Sequence, residues 1–170
     1  ILLLQQRGLI MYITQALKRN AQLYSKKVAT SFNNRTFTWE ESLERISKLA
    51  SGIKKLGVSL EDRIAILAHN SDKYFEFIYS VSWLGGVFVP INTRLAPPEI
   101  EFWINDSESK VIFVDSNFSN IVDSLIKENK IPSIKKVVYI SDDNAPENMI
   151  KYEDLLEDEI IEDKMRGYND

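Results

Sequence analysis

The apolar positions of this chain change period along its length. From Tyr12 to Tyr24, the residues Ile13, Ala16, Leu17 and Leu23 recur at helical spacing and predict a short amphipathic helix. Val28 to Phe32 reads as a strand, Asn33-Asn34-Arg35 as a tight turn, and Thr36 to Thr38 as the returning strand. Asn tolerates the positive φ that two-residue hairpin turns require. Thr38, with Glu41 three residues on, forms a capping box for the next helix. Its apolar stripe is Leu43, Ile46, Leu49, Ala50, Ile53 and Leu56. Lys54 and Lys55 suit the negative end of the dipole, and Gly57 suits a left-handed stop.

Beyond Gly57 the pattern turns into short unbroken apolar runs: Ile64 to Ala68, Val87 to Ile91, Val111 to Val114 and Val137 to Ile140. Helical segments separate them. One runs from Ser71 or Asp72 to Leu84 and stops at Gly85-Gly86; one opens on Pro97 and Pro98; one covers residues 119–129. Runs that are apolar throughout imply strands buried on both faces, the habit of parallel sheets covered by helices. The fold class expected is α/β: an open, mainly parallel sheet flanked by helices, with an antiparallel hairpin near the N-terminus. The helix of residues 72–84 carries Tyr74, Phe75, Phe77, Tyr79 and Trp83 and is expected to be buried, meeting the sheet through Phe75, Ile78 and Leu84. Pro90 closes its run where a missing donor is tolerable.

After Ile140 the rhythm degrades. Asp142-Asp143-Asn144-Ala145-Pro146 reads as a loop, residues 152–161 as a short acidic helix, and Arg166 to Asp170 as a frayed end. The chain divides into residues 1–10 (an upstream extension or a non-native addition), an α/β scaffold over 11–141, and an acidic tail or connecting segment over 142–170. Charge sharpens that division. Residues 1–141 carry 18 Lys and Arg against 14 Asp and Glu; residues 142–170 carry 3 against 11. Basic residues in the body are scattered and not interleaved with aromatics, which argues against a nucleic-acid footprint.

Cysteine is absent, so disulfides, cysteine-ligated metals and thiol nucleophiles are excluded. The single histidine, His69, leaves no multi-histidine metal site. No apolar run approaches the length of a membrane span. Gln5, Gln6 and Arg7 end the apolar start at Ile1 to Leu4, so no secretory leader is expected and the cytoplasm is the expected compartment.

Open α/β sheets bind ligands beyond the carboxyl ends of their strands, so candidate chemistry is sought there. After the first run stands His69, a candidate general base with no orienting partner nearby in sequence; the plainer reading is a loop-packing histidine. After the second stands Arg94, an anion clamp or, more plainly, a helix-docking arginine. After the third stands Asp115, placed like a phospho-accepting aspartate but without the acidic pair that such a site needs. Capping of the next helix by Asp115 or Ser116 is the better account. Neither G-x-G-x-x-G nor G-x-x-x-x-G-K-[ST] occurs, and Gly85-Gly86 lacks a following helix start. No catalytic, cofactor-binding or metal-binding residue is assigned.

Several stretches together carry a resemblance. Thr36-Phe37-Thr38-Trp39-Glu40-Glu41-Ser42-Leu43 runs into Leu49-Ala50-Ser51-Gly52-Ile53-Lys54-Lys55-Leu56-Gly57-Val58. Glu61-Asp62-Arg63-Ile64-Ala65-Ile66 leads to Asn70-Ser71, and Leu84-Gly85-Gly86-Val87-Phe88-Val89-Pro90-Ile91-Asn92 leads to Arg94-Leu95. Glu99-Ile100 and Lys110-Val111-Ile112-Phe113-Val114-Asp115 close the series. In order and spacing this resembles the N-terminal part of the AMP-forming acyl-CoA synthetases, the adenylate-forming or AMP-dependent ligases, over roughly residues 11–160. Glu61 stands where that pattern usually has Gly, a loop difference.

The resemblance implies part of a larger N-terminal domain and a two-step reaction. A carboxylic acid, with fatty acids the expected class, and ATP give acyl-adenylate and pyrophosphate, and the acyl group then passes to coenzyme A. It implies ATP, Mg²⁺ and coenzyme A as cofactors of the parent enzyme, none bound by this chain alone. The phosphate loop, the Mg²⁺-linked acid and the lid lysine of the family lie downstream of the matched region. This chain is then expected to be a ligase fragment, inactive alone, whose partners are the remaining parts of the ligase chain. The alternative is a free-standing non-catalytic α/β binding or interaction module. As a fragment it is expected to leave an apolar patch bare, with aromatics from Phe77, Tyr79, Trp83, Phe102 and Trp103, and a poorly packed tail from Asp142.

Overall fold

The computed structural model describes residues 12–156 and 161–164. Helix α1 (Ile13–Leu23) precedes a hairpin of β1 (Val28–Phe32) and β2 (Arg35–Thr38), which pair antiparallel. Asn33, in the two-residue turn, takes φ +51°. Helix α2 (Trp39–Lys55) starts on the expected box: Thr38 Oγ1 accepts from Glu41 N, and Glu41 Oε2 accepts from Thr38 N. Gly57 follows it at φ +87° with open space around it, so its requirement is conformational.

Strands β3 (Arg63–Leu67), β4 (Val87–Pro90), β5 (Val111–Val114), β6 (Lys136–Tyr139) and β7 (Ile150–Lys151) form a parallel sheet in the order β4-β3-β5-β6-β7. Pro90 lies on an edge strand, where its missing N–H costs no ladder bond. Helices α3 (Asp72–Trp83), α4 (Pro97–Ser107) and α5 (Ser119–Lys127) make the connections. Alternation along the strands sends Ile64, Ile66, Val111 and Phe113 into a core with α1, α2 and α3. Ala65, Leu67, Ile112 and Val114 go into the opposite core, with Ile100 and Ile104 of α4 and Val122 and Leu125 of α5. The result is three layers, helix–sheet–helix.

The architecture expected from the apolar runs is present, with four corrections. First, α1 turns inward through Thr14, Leu17 and Ala21, while Ile13, Ala16 and Leu23 are exposed. A narrow seam of one residue per turn faces inward, with Leu17 as its large member, and Ile13 and Leu23 are left outside. Second, α3 meets the core through Phe77, Val81 and Leu84, whereas Phe75 and Ile78 are only half-buried. Those buried residues share a face with Lys73, Glu76 and Ser80, so the inward side of α3 is partly polar.

Third, the central strands β3, β5 and β6 are covered on both faces by this chain, while on the edge strand β4 Val87 is exposed and Phe88 and Val89 are half-buried. Of the aromatics expected in a bare patch, Phe77 and Trp83 are buried and Tyr79 is half-buried; Phe102 and Trp103, 63% and 47% exposed, project from the outer side of α4. Fourth, the segment after Asp142 is docked. Met149, Tyr152 and Leu155 are buried, and β7 adds to the sheet before a 3₁₀ turn over Tyr152–Leu155. A β-carbon on Gly52 would lie 1.9 Å from the Leu155 carbonyl oxygen, so that turn seats directly on the α2 backbone. Farther on, Trp83 Nε1 donates to Ile161 O (3.0 Å) and Lys18 pairs with Asp163 (2.6 Å). Of the acidic helix expected over 152–161, the described residues show a 3₁₀ turn over Tyr152–Leu155. Its residues 157–160, the extension of residues 1–10 and the end from Arg166 lie outside the described residues.

Candidate functional site: a crevice at the strand-order reversal

The chain leaves β3 for β4 over one face and returns across β3 to β5 over the other. The order reverses between β3 and β5, and the loops after these two strands part there. This is the switch point at which open α/β sheets take ligands. A crevice of about 470 Å³ opens at that place, lined among others by His69, Asn70, Ser116, Asn117, Ser141 and Asp142.

Asp115 ties the two loops together. Its Oδ2 accepts from the His69 backbone N–H (2.8 Å) and lies 3.0 Å from His69 Nδ1; its Oδ1 accepts from Asn117 N (2.9 Å). A carboxylate only accepts, so Nδ1 carries a proton in this arrangement. The His69 ring also leans on Phe118, centroids 5.3 Å apart. The orienting partner that the sequence does not show beside His69 thus comes from a loop 46 residues away. Asp115 does not cap α5: Phe118 holds the cap position, and Asp115 stabilises the preceding turn. Arg94 is remote from this arrangement. It is exposed on the β4–α4 loop, with its backbone N–H donating to Asn92 Oδ1, and docks no helix. Gly85, at φ +71°, and Gly86 end α3 as expected, and Gly86 N donates to Val81 O.

One wall of the crevice is ionic. Arg35 forks onto Asp72 (2.7 and 2.9 Å) and reaches Asp142 Oδ1 (2.5 Å), which also accepts from Lys73 Nζ (2.9 Å). Behind them Arg45 forks onto Glu76 (2.6 and 3.1 Å) and contacts Glu153, while the Tyr152 hydroxyl donates to Glu76 (2.5 Å). Burial pushes the Glu76 carboxyl upward against the pull of Arg45 and Tyr152. It raises the fully buried Tyr152 phenol well above its ordinary value. Hydrogen bonding from Lys73, then from Arg35, holds Asp142 below the usual carboxylate range. Arg35, Arg45, Lys73, Glu76 and Tyr152 are not candidates from sequence. The available signal is the spacing Asp72, Lys73, Glu76, Ser80 on an otherwise aromatic helix, which places a polar stripe on one side of α3.

Strand order and the crevice at its reversal define an open α/β scaffold with a ligand cleft. Comparison with known proteins makes the class specific. The chain belongs to the AMP-binding enzyme family, whose model matches residues 17–165. A long-chain-fatty-acid–CoA ligase of Thermus thermophilus is 33% identical over 148 residues, 84% of this chain and 27% of the relative. A medium-chain-fatty-acid–CoA ligase of Ectopseudomonas oleovorans is 34% identical over 123 residues, 69% of this chain and 22% of the relative. Among solved structures, the anthranilate CoA ligase AuaEII in complex with anthranoyl-AMP superposes with a TM-score of 0.88 over 96% of this chain and 31% of its own. At 22% identity that likeness concerns the fold. A fatty acyl CoA synthetase of Mycobacterium tuberculosis, 27% identical, gives 0.70 over 76% of this chain and 26% of its own. The chain spans about a quarter of the length of these curated relatives.

Proposed function

We propose that this chain is the N-terminal α/β scaffold of an ATP-dependent acid–CoA ligase, the parent forming an acyl-adenylate from a carboxylic acid and passing the acyl group to coenzyme A. The observation that carries this reading is the family match over residues 17–165, joined to relatives named as fatty-acid–CoA ligases. ATP, Mg²⁺ and coenzyme A belong to the parent. The residues of the crevice do not fit a nucleotide triphosphate. No glycine-rich loop opens onto it, and its cations Arg35 and Lys73 are paired with Asp72 and Asp142. Among the described residues no group of three or more His, Asp and Glu converges as metal ligands. No step of the reaction is routed through this chain, and its part is to support the catalytic elements of the parent. No described helix is long and apolar enough to cross a membrane; a cytoplasmic location remains part of the proposal.

One observation favours the second reading, a free-standing binding module: the central strands are covered on both faces and Met149, Tyr152 and Leu155 are docked. Two measurements separate the readings. The reading frame past Asp170 is expected to encode a Ser/Thr/Gly-rich phosphate loop, and the purified 170-residue chain with ATP, Mg²⁺ and a fatty acid is expected to exchange no pyrophosphate. A frame without that loop supports the module. Exchange above background contradicts the assignment of all chemistry to the remainder of the parent.

A further inference from the structure

Asp142 occupies its place as a ligand would. Two cations from separate elements, Arg35 of β2 and Lys73 of α3, converge on one of its oxygens at 2.5 and 2.9 Å. The Lys73 side chain is only 4% exposed, while that of Asp142 is 56% exposed at the rim of the crevice. Apart from Asp142, the carboxylate near the Lys73 ammonium is Glu153 at 3.6 Å, beyond hydrogen-bond length, with the Tyr152 ring 5.2 Å away. A buried ammonium without a hydrogen-bonded anion is costly. The position therefore demands an oxyanion, and a loop residue of the chain's own tail supplies it.

We propose that Arg35 and Lys73 form an oxyanion subsite of the switch-point crevice, closed in this structure by the Asp142 carboxylate as a tethered occupant that a free carboxylate or phosphate group can replace. Two features support replacement in place of a purely structural ion pair. Arg35 is held by its fork on Asp72 independently of Asp142, a second anchor for the guanidinium. The tether is a short loop after β6, in which Ser141 Oγ accepts from Ser116 N, so Asp142 can withdraw without unpairing the sheet. This site is separate from the chemistry assigned to the parent and stands whether or not that assignment holds.

The test is chemical rescue of the whole 170-residue chain. Asp142→Ala is expected to lower the melting midpoint by about 3–5 °C. About 50 mM formate, acetate or inorganic phosphate is expected to restore about half of that loss, beyond the effect of chloride at equal ionic strength. Wild type, where the tethered Asp142 competes for the site, is expected to respond to these anions more than to chloride but less than the alanine variant does. Preferential rescue by formate assigns a carboxylate ligand, and by phosphate a phosphoryl ligand; either supports the site. If the alanine variant does not fold, Asp142→Ser, which also vacates the oxyanion position, takes its place. Rescue no larger than that by chloride, or rescue that survives Lys73→Met in the same background, overturns the proposal.

Discussion

The two faces of the sheet are covered by different chemistry. On the α4–α5 side, Ile100, Ile104, Val122 and Leu125 close over Ala65, Leu67, Ile112 and Val114, an apolar contact throughout. On the α2–α3 side the apolar core of Ile46, Leu49, Phe77 and Phe113 is bordered by ionised groups: Arg45 on Glu76, Lys73 on Asp142, and Tyr152 donating to Glu76. The apolar side depends only on shape and area. The mixed side holds a segment from the far end of the chain, and its ionic partners set where that segment lies. Burial alone would accept several placements of residues 149–155; paired charges accept few.

The largest effects test the apolar part of the mixed side. Phe77→Ala should cost about 3–5 kcal/mol in urea unfolding, because the ring is fully buried against Phe113 at 4.8 Å. Phe75→Ala, at a half-buried position, should cost well under half as much. Equal losses would mean that α3 is rotated from the position described. Slightly smaller is Glu76→Ala, which leaves the Arg45 guanidinium with Glu153 as its remaining carboxylate and the buried Tyr152 hydroxyl without its acceptor, and should cost about 3 kcal/mol. The double variant Arg45→Met, Glu76→Leu should recover part of it, since it removes both charges and leaves the buried Tyr152 hydroxyl as the group without its acceptor. A double variant as unstable as the single one would show that the contact matters for shape and not for charge.

Legibility from sequence follows the same division. The strands, the capped helix after Thr38 and the glycine stops are local: apolar runs, a box at three-residue spacing and left-handed positions each act within a few residues. The rotation of α1 and α3 was not legible, because a helix with apolar residues on most sides does not declare which side faces in; neighbours decide. The site divides similarly. Strand ends drew attention to His69 and Asp115, but their pairing depends on β3 and β5 being neighbours. The acidic segment read as a poorly packed tail because Asp142 and Glu153 look like solvated charge until Arg35, Lys73 and Arg45 are brought beneath them.

Docking of the segment after Asp142 as part of the fold is tested most directly at Gly52. Glycine inside an exposed helix is unfavourable by about 1 kcal/mol relative to alanine, so Gly52→Ala would ordinarily stabilise. Here the new β-carbon would stand 1.9 Å from Leu155 O, a backbone atom that cannot move without lifting the 3₁₀ turn off α2. The expected result in urea unfolding is a loss of about 1–3 kcal/mol, with faster proteolysis between Asp142 and Leu156. A gain in stability with unchanged proteolysis would show that the segment does not rest on α2.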